Sequence, residues 1–580
     1  MSARPILLSL ALLLLAACAA PAPSSPAQSS GQPGANRSAS GPKRIVAATR
    51  NIPSFLYYRL HPGPTAGAEE VGDLLHAGLV VMDDQSTLRP QLGEAVPTLE
   101  NGRWRVAPDG TMETMLTIKP GASWHDGTPL TAHDLAFTLE VSADRELGIL
   151  RHVGFDSIAS YEATDDRTLL VKWRRPYIEA DALFSTRFAL PLPKHLLERA
   201  YQENKATFFD IPFWADEYVG AGPFRVREHN RGNYLIAEAF DRYVLGRPKV
   251  DEIEVRFITD DNTFVANMLA GSVDFTLGRG PSLEQAIMVR DQWPNGRVEF
   301  KSLDSWLTVY PQFLDASPAV VTNPRFRAAL LHAIDRQEMV ESIQYGLVPV
   351  ADGNISPNHP QYKQIEPGIV RHDYDPRRAA QLLEGLGYVR GGDGGWRFDG
   401  SGRPDSSGRD AGGNRLAVQI RGTTVLDILP KATLAVADYW QRLGMATEAD
   451  IRSPRALDRE QQATFPAFAL QRQTGSTRFL PNLRSTQARL PENGYSGLNV
   501  ARYTDPEMDG LIDRYVTTIP IPERMQVVSD IVRRITGDVI WLTLFFDTEP
   551  ALIANRLVNV RPRGEDSNHA WNAHEWDVKG

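Results

Sequence analysis

Residues Val219 to Phe275 read VGAGPFRVREHNRGNYLIAEAFDRYVLGRPKVDEIEVRFITDDNTFVANMLAGSVDF, and their punctuation decides the fold class. Gly220, Gly222 and Pro223 mark a turn in which backbone geometry is the requirement. Phe224 to Val226 and Tyr234 to Ala237 are strand-like runs around the polar turn Asn230 to Asn233. Gly246-Arg247-Pro248 opens another strand, in which Ile253, Val255 and Phe257 alternate with Glu254 and Arg256, as in a half-buried strand. Asp260 or Asp261 caps a helix whose apolar face is Phe264, Val265, Met268 and Leu269, with Gly271 at its end. Strand, helix and strand in this order give an α/β fold with sheets covered by helices.

Outward from this stretch the same grammar recurs. Trp104 to Val106 and Thr111 to Ile118 form a hairpin across Pro108-Asp109-Gly110. Thr131 and Asp134 make a capping box, and Asp126-Gly127 makes a turn. Those roles account for His125, Asp126, His133 and Asp134 without a metal or acid–base cluster, and the chain has no HExxH pattern. Asn323-Pro324, Asp375-Pro376 and Asp505-Pro506 each start a helix, with the Asx residue as cap and proline at the first helical position. The glycine-rich segment 391–413 lacks the Walker lysine–hydroxyl pair and reads as a hairpin with an exposed insertion. Ile540 to Phe546 is a buried-strand run.

These motifs resemble the extracytoplasmic solute-binding proteins of ABC importers, family 5, which include oligopeptide, dipeptide and nickel binders. The resemblance is carried by Gly220-Ala221-Gly222-Pro223-Phe224, where the family commonly has Thr in place of Ala221, and by Gly246 to Ile253 and Gly271 to Asp274. Pro90 to Glu94, Trp124 to Asp134, Asn323 to Arg336 and Tyr374 to Tyr388 add to it. It implies a periplasmic-binding-protein-like fold (type II, the large cluster C form): two lobes joined by two hinge crossovers, with an extra subdomain in the first. The boundaries expected are 44–304 for the first lobe, with the subdomain at about 80–190, then 305–544 for the second lobe and 545–580 for a return to the first.

Length and charge agree. A chain of 580 residues is too long for one hydrophobic core. A net charge of -9 argues against a nucleic-acid binder held by phosphate contacts. The only cysteine, Cys18, ends Leu15-Ala16-Ala17-Cys18, which matches the bacterial lipobox after the apolar run Ile6 to Ala17. Residues 1–17 are therefore expected to be a lipoprotein signal peptide, Cys18 the lipidated anchor, and 18–43 a flexible tether, which places the protein outside the cytoplasm on a membrane.

The family resemblance implies capture of a peptide-like or other small solute, delivery to ABC permease subunits, no catalysis, no metal or other cofactor, and a monomer. A secreted hydrolase and a sensor or adhesin lipoprotein on the same fold are the alternatives; no G-x-S-x-G elbow supports the first. Candidate ligand contacts, from segments the family uses around its cleft, are Asn51, Phe55, Trp306, Tyr310, Gln471, Gln473, Thr474 and Phe546. Peptide-binding relatives often carry W-x-A-D-Y in the segment aligned with Gln471 to Gly475, with the aspartate pairing the peptide's amino group. This chain has no acid from Gln471 to Leu490 and has Arg472 and Arg478, so a neutral or partly anionic ligand is expected.

Overall fold

The computed structural model describes residues 41–60, 67–147, 149, 152–399, 415–474, 477–564 and 567–579. Cys18, the expected signal peptide and 18–40 of the expected tether lie outside these residues, as do 400–413 of the glycine-rich segment, Asn414, Gly475 and Ser476.

Ten strands form the principal sheet: β1 (Arg44–Thr49), β2 (Phe224–Asn230), β3 (Tyr234–Ala239), β4 (Glu252–Phe257), β5 (Phe275–Thr276), β6 (Gly296–Pro311), β7 (Ala417–Thr423), β8 (Ala446–Arg452), β9 (Phe468–Gln473) and β10 (Leu542–Ala554). Their spatial order is β8-β7-β9-β6-β10-β5-β1-β4-β3-β2. The two long central strands, β6 and β10, run antiparallel from Gly296↔Ala554 to Ser302↔Thr548. The register then breaks and resumes at Trp306↔Phe546. Such an irregularity bends a ribbon and raises its local twist. On one side of it β10 pairs with β5 (Phe275↔Ile553), which leads to β1, parallel to β4. On the other side β6 pairs with β9 (Trp306↔Gln473 to Pro311↔Phe468), which leads to β7 and β8. The chain thus builds two lobes and passes between them twice, through β6 and β10.

The opening stretch behaves as read, with one difference. Asp260 accepts a hydrogen bond from Thr263 N at 2.8 Å, and the helix Asp261–Leu269 ends at Gly271 with φ +70°. The strand expected from Gly246 begins instead at Glu252. Gly246 (φ +101°) closes a turn by donating its N–H to Tyr243 O, which leaves no extended chain there. Gly220 and Gly222 lie against the end of the helix Ala68–Leu75: a Cβ on Gly220 would sit 2.0 Å from Leu75 O, and one on Gly222 2.5 Å from His76 N. His125 locks the same turn, its Nδ1 accepting from Gly220 N (3.2 Å) and its Nε2 meeting Gly222 O (3.1 Å). Both contacts fit a neutral imidazole, and burial holds the pKa of His125 down at about 4.

Within the first lobe a separate four-stranded sheet joins Trp104–Val106, Met112–Thr117, Thr168–Trp173 and Ile158–Asp165, flanked by the helix Ala132–Ala143. In the second lobe Asn323, Asp375 and Asp505 each accept a backbone N–H at a proline-led helix start. The motif Asn323 to Arg336 has a structural cause. Arg327 is buried and donates to Val539 O, Val321 O and Asp538 O at 2.7–3.0 Å. Arg336 donates to Ala351 O and His372 O at 2.8 Å and to Asp352 at 3.1 Å. Carbonyl oxygens therefore receive the buried Arg327 guanidinium, and carbonyls together with the Asp352 carboxylate receive that of Arg336. Burial lowers the Arg327 pKa to about 10.

Candidate functional site

Where the two lobes face each other over β9 and β10, a cavity of about 250 Å³ is lined from both sides. The first lobe supplies Arg50 and Asn51 at the end of β1, Glu69 and Glu70 on the helix Ala68–Leu75, and the start of the helix Leu283–Gln292. The second supplies Gln344, Asp427 and Lys431. Arg472 of β9 and Asp547 to Pro550 of β10 form the base, and Arg563 and His569 arrive with the returning chain.

The cavity's charges are largely matched. Arg472 Nε donates to Asp547 Oδ2 at 2.5 Å, and Gln344 Nε2 donates to the other oxygen at 2.9 Å. Arg563 pairs with Glu549 at 2.9 Å. Burial alone would raise the Glu549 pKa, but the positive charges of Arg563, His569 and Arg472 outweigh it and hold the carboxyl at about 2. Glu70 is pushed the other way by burial, although it accepts from Asn51 Nδ2 (2.7 Å) and Gly67 N (2.9 Å). Two ion pairs cross from lobe to lobe: Glu284 with Lys431, and Arg50, which lies 2.6 Å from Asp261 of its own lobe, with Asp427 at 3.8 Å. Nothing in this set aligns a nucleophile with a base. It can grip and orient a polar guest.

The five sequence candidates on these strands share one face of the sheet. Paired residues on neighbouring strands share a face, and successive residues alternate. Trp306, Gln473 and Phe546 are cross-strand partners, and Thr308–Gln471 and Tyr310–Ala469 follow on the same face. Leu307 and Arg472 occupy the opposite face, toward the charged cavity. Of the eight candidates only Asn51 lines that cavity. Phe55, Trp306, Tyr310 and Phe546 are buried, Gln471 and Gln473 are half-buried, and Thr474 is exposed where β9 ends. Gln473 Nε2 donates to Gln471 Oε1 at 3.2 Å, making an amide rim beside the aromatic face. Trp306, Phe479 and Trp541 pack with ring centroids 5.5–6.4 Å apart, and Tyr310 lies 6.1 Å from Trp541.

Beside this aromatic face is a second cavity of about 430 Å³, between the inserted subdomain and the second lobe. Its charged lining is Glu179, Asp181 and Arg187 from one side and Arg478 and Arg524 from the other. The turn Thr477–Leu483 joins the two features: Thr477 and Arg478 line the cavity, while Phe479 packs on Trp306 and Trp541. Asp547, Glu549, Arg563 and His569 were absent from the sequence candidates. Their only signal was the expected return of the chain to the first lobe.

The family model described as bacterial extracellular solute-binding proteins, family 5 Middle, matches residues 94–487. The oligopeptide-binding protein AppA of Bacillus subtilis is 26% identical over 328 residues, 55% of this chain and 55% of that protein. The chain spans about half the length of the curated relatives it matches. The AppA structure, solved in complex with a nonapeptide, superposes with a TM-score of 0.71 at 20% identity, covering 93% of this chain and 100% of that one. A periplasmic EDTA-binding protein, EppA, gives 0.76 at 17% identity, covering 93% and 97%. At these identities the structures establish the shared fold. Among the described residues no group of three or more His, Cys, Asp or Glu is placed to hold a metal ion, and no helix is long and apolar enough to cross a membrane.

Proposed function

The chain belongs to the bacterial extracellular solute-binding proteins, family 5, and on that premise we propose that it captures a peptide-like or other small solute between its lobes and delivers it to the permease of an ABC importer. The observation that carries this reading is the cavity walled by both lobes over the two crossing strands. A guest there touches both lobes at once, so it stabilises the closed form by differential affinity. Micromolar capture needs only about -8 kcal/mol and no covalent step. Similar structures solved in complex with a nonapeptide or with Ni(L-His), and that of an EDTA-binding protein, support a fold that accepts varied guests, so the ligand is set by this chain's own side chains.

The hinge lies at the register break between Ser302 and Trp306 on β6 and the facing residues of β10, which supports lobe limits near 304 and 544. Asn51 is the proposed polar contact within this cavity, and Gln471, Gln473 and Thr474, with Trp306, Tyr310, Phe546 and Phe55, are proposed contacts that lie outside it. The protein acts as a monomer without turnover, held outside the cytoplasm by lipid on Cys18. Native mass spectrometry of protein released from its own membranes tests the reading. A non-covalent solute, expelled intact on mild denaturation, supports it. A covalent adduct, or catalytic loss of peptide, ester or glycoside probes, contradicts it.

A further inference from the structure

We propose that the guest presents an uncharged hydrogen-bond donor, the N–H of an amide, to Asn51 Oδ1 in the interlobe cavity, with Glu70 as the positioning residue that fixes which end of the Asn51 carboxamide it meets. This rests on the capture reading above and names the chemistry of that guest.

A buried carboxylate dictates the orientation of this amide. Glu70, third residue of the helix Ala68–Leu75, is buried and accepts from Gly67 N at 2.9 Å with one oxygen and from Asn51 Nδ2 at 2.7 Å with the other. Gly278 closes on its stem, where a Cβ would sit 2.0 Å from Glu70 Cγ. An ionised carboxylate only accepts, so Asn51 turns its NH₂ to Glu70, and the carbonyl oxygen is the end left over. Asn51 is half-buried and lines the cavity, and its Oδ1 meets no donor among the described residues.

The second lobe repeats the wiring. Asp547 accepts from Gln344 Nε2 at 2.9 Å, and Gln344 Oε1 is buried without a partner among the described residues. Both carboxamides of the lining thus have a donor spent on a carboxylate, and a guest that brought only acceptors would leave Asn51 Oδ1 unpaired on closure. Charge gives an ion no advantage. The ion pairs described above and the Glu70 hydrogen bonds engage most of the charged lining; Glu69 and Arg279, opposite in sign, are the two without a hydrogen-bond or ion-pair partner among the described residues. An amide N–H satisfies Asn51 without the dehydration that an ammonium group would cost.

Glu70→Gln tests this, because it keeps the shape and reverses the wiring. The Gly67 N–H selects the new side-chain oxygen, so the new NH₂ faces Asn51, which turns over to accept it and offers Nδ2 to the guest. Calorimetry uses N-acetyl-tri-L-alanine and three analogues, each with one amide N–H replaced by an ester oxygen. In the wild type at least one analogue is expected to bind about 5–10-fold more weakly than the parent, and in Glu70→Gln that penalty disappears. Asn51→Ala provides a second variant, read as the same loss of discrimination. Equal binding of parent and analogues by the wild type, or the same penalty in both variants, overturns the proposal. A ligand-free readout comes from protein labelled with ¹⁵N-asparagine, in which the Asn51 side-chain signals are identified by their loss in Asn51→Ala. Their exchange with water is expected to be slow in the wild type and faster in Glu70→Gln; equal exchange in the two overturns the proposal. Wild-type protein that binds none of the probes counts against peptide capture itself, and the exchange measurement then decides this inference alone.

Discussion

Arg472 on β9 and Asp547 on β10 meet at 2.5 Å although their strands are not neighbours; β6 runs between them. The pair therefore reaches across a strand just where β6 and β10 lose register. It ties the second lobe's β9 to the crossing strand at the floor of the cavity, with Gln344 holding the second carboxylate oxygen. Arg472→Met leaves a mostly buried carboxylate with two neutral donors, Gln344 Nε2 and Thr548 N, both on one oxygen. Removing one partner of such a pair costs about 2–3 kcal/mol, discounted from a fully buried case because the arginine is partly exposed. Denaturant unfolding of Arg472→Met reads the loss, and Arg472→Met with Asp547→Leu recovers part of it. Equal stabilities for all three proteins contradict the assigned role.

In the cross-lobe pairs Glu284–Lys431 and Arg50–Asp427, three of the four partners are solvent-exposed and only Arg50 is mostly buried. Exposed pairs contribute about 0–1 kcal/mol to folding. Their effect falls instead on the balance of open and closed forms, where a small bias changes populations several-fold. Lys431→Ala is expected to leave the melting temperature within a degree or so while increasing the radius of gyration of ligand-free protein in small-angle scattering. High salt acts in the same direction on the wild type.

His76 and His125 are among the imidazoles that burial keeps neutral, as it does His569. Burial lowers His76 to about 3 and His125 to about 4, and each Nδ1 accepts a backbone N–H. In the unfolded chain both take up a proton near pH 6.5. The unfolded state therefore binds more protons below that value, and stability is lost as pH falls from about 6.5 toward 4. The two together account for several kcal/mol, on the order of 3 kcal/mol each. Chemical denaturation at pH 7.5 and 5.0 measures the drop, and His125→Gln is expected to flatten it.

Close backbone approach makes Gly220 irreplaceable. A methyl group 2.0 Å from Leu75 O cannot be accommodated without moving the helix Ala68–Leu75 away from the turn. Gly220→Ala is expected to cost roughly 3 kcal/mol or more. Gly232→Ala, where φ is +86° but space is open, costs about 1 kcal/mol through backbone strain alone. Melting curves of the two variants separate overpacking from strain.

Much of the architecture could be read in the chain before its structure. Asx–Pro pairs, capping boxes and the Gly220-Ala221-Gly222-Pro223 turn act locally, so their spacing is their structure. The site was less legible, because it is assembled from residues hundreds of positions apart. Strand alternation places Gln471 and Gln473 opposite Arg472, but only the pairing Trp306↔Gln473 reveals which face meets the aromatic cluster. Glu549, Arg563 and His569 carry no local motif. Their roles depend on the returning chain passing beside Glu70 and Arg472.

A distance between the lobes reports closure most directly. Spin labels on a Cys18→Ser background at the exposed positions Met288 and Leu434, one in each lobe, report it by pulsed electron resonance. Titration with a mixture of N-acetylated di- to pentapeptides is predicted to shift a broad distribution to one shorter, narrower distance, with the peptides recovered intact. A single distance that no guest alters, or peptides consumed during the titration, would contradict a two-lobed trap.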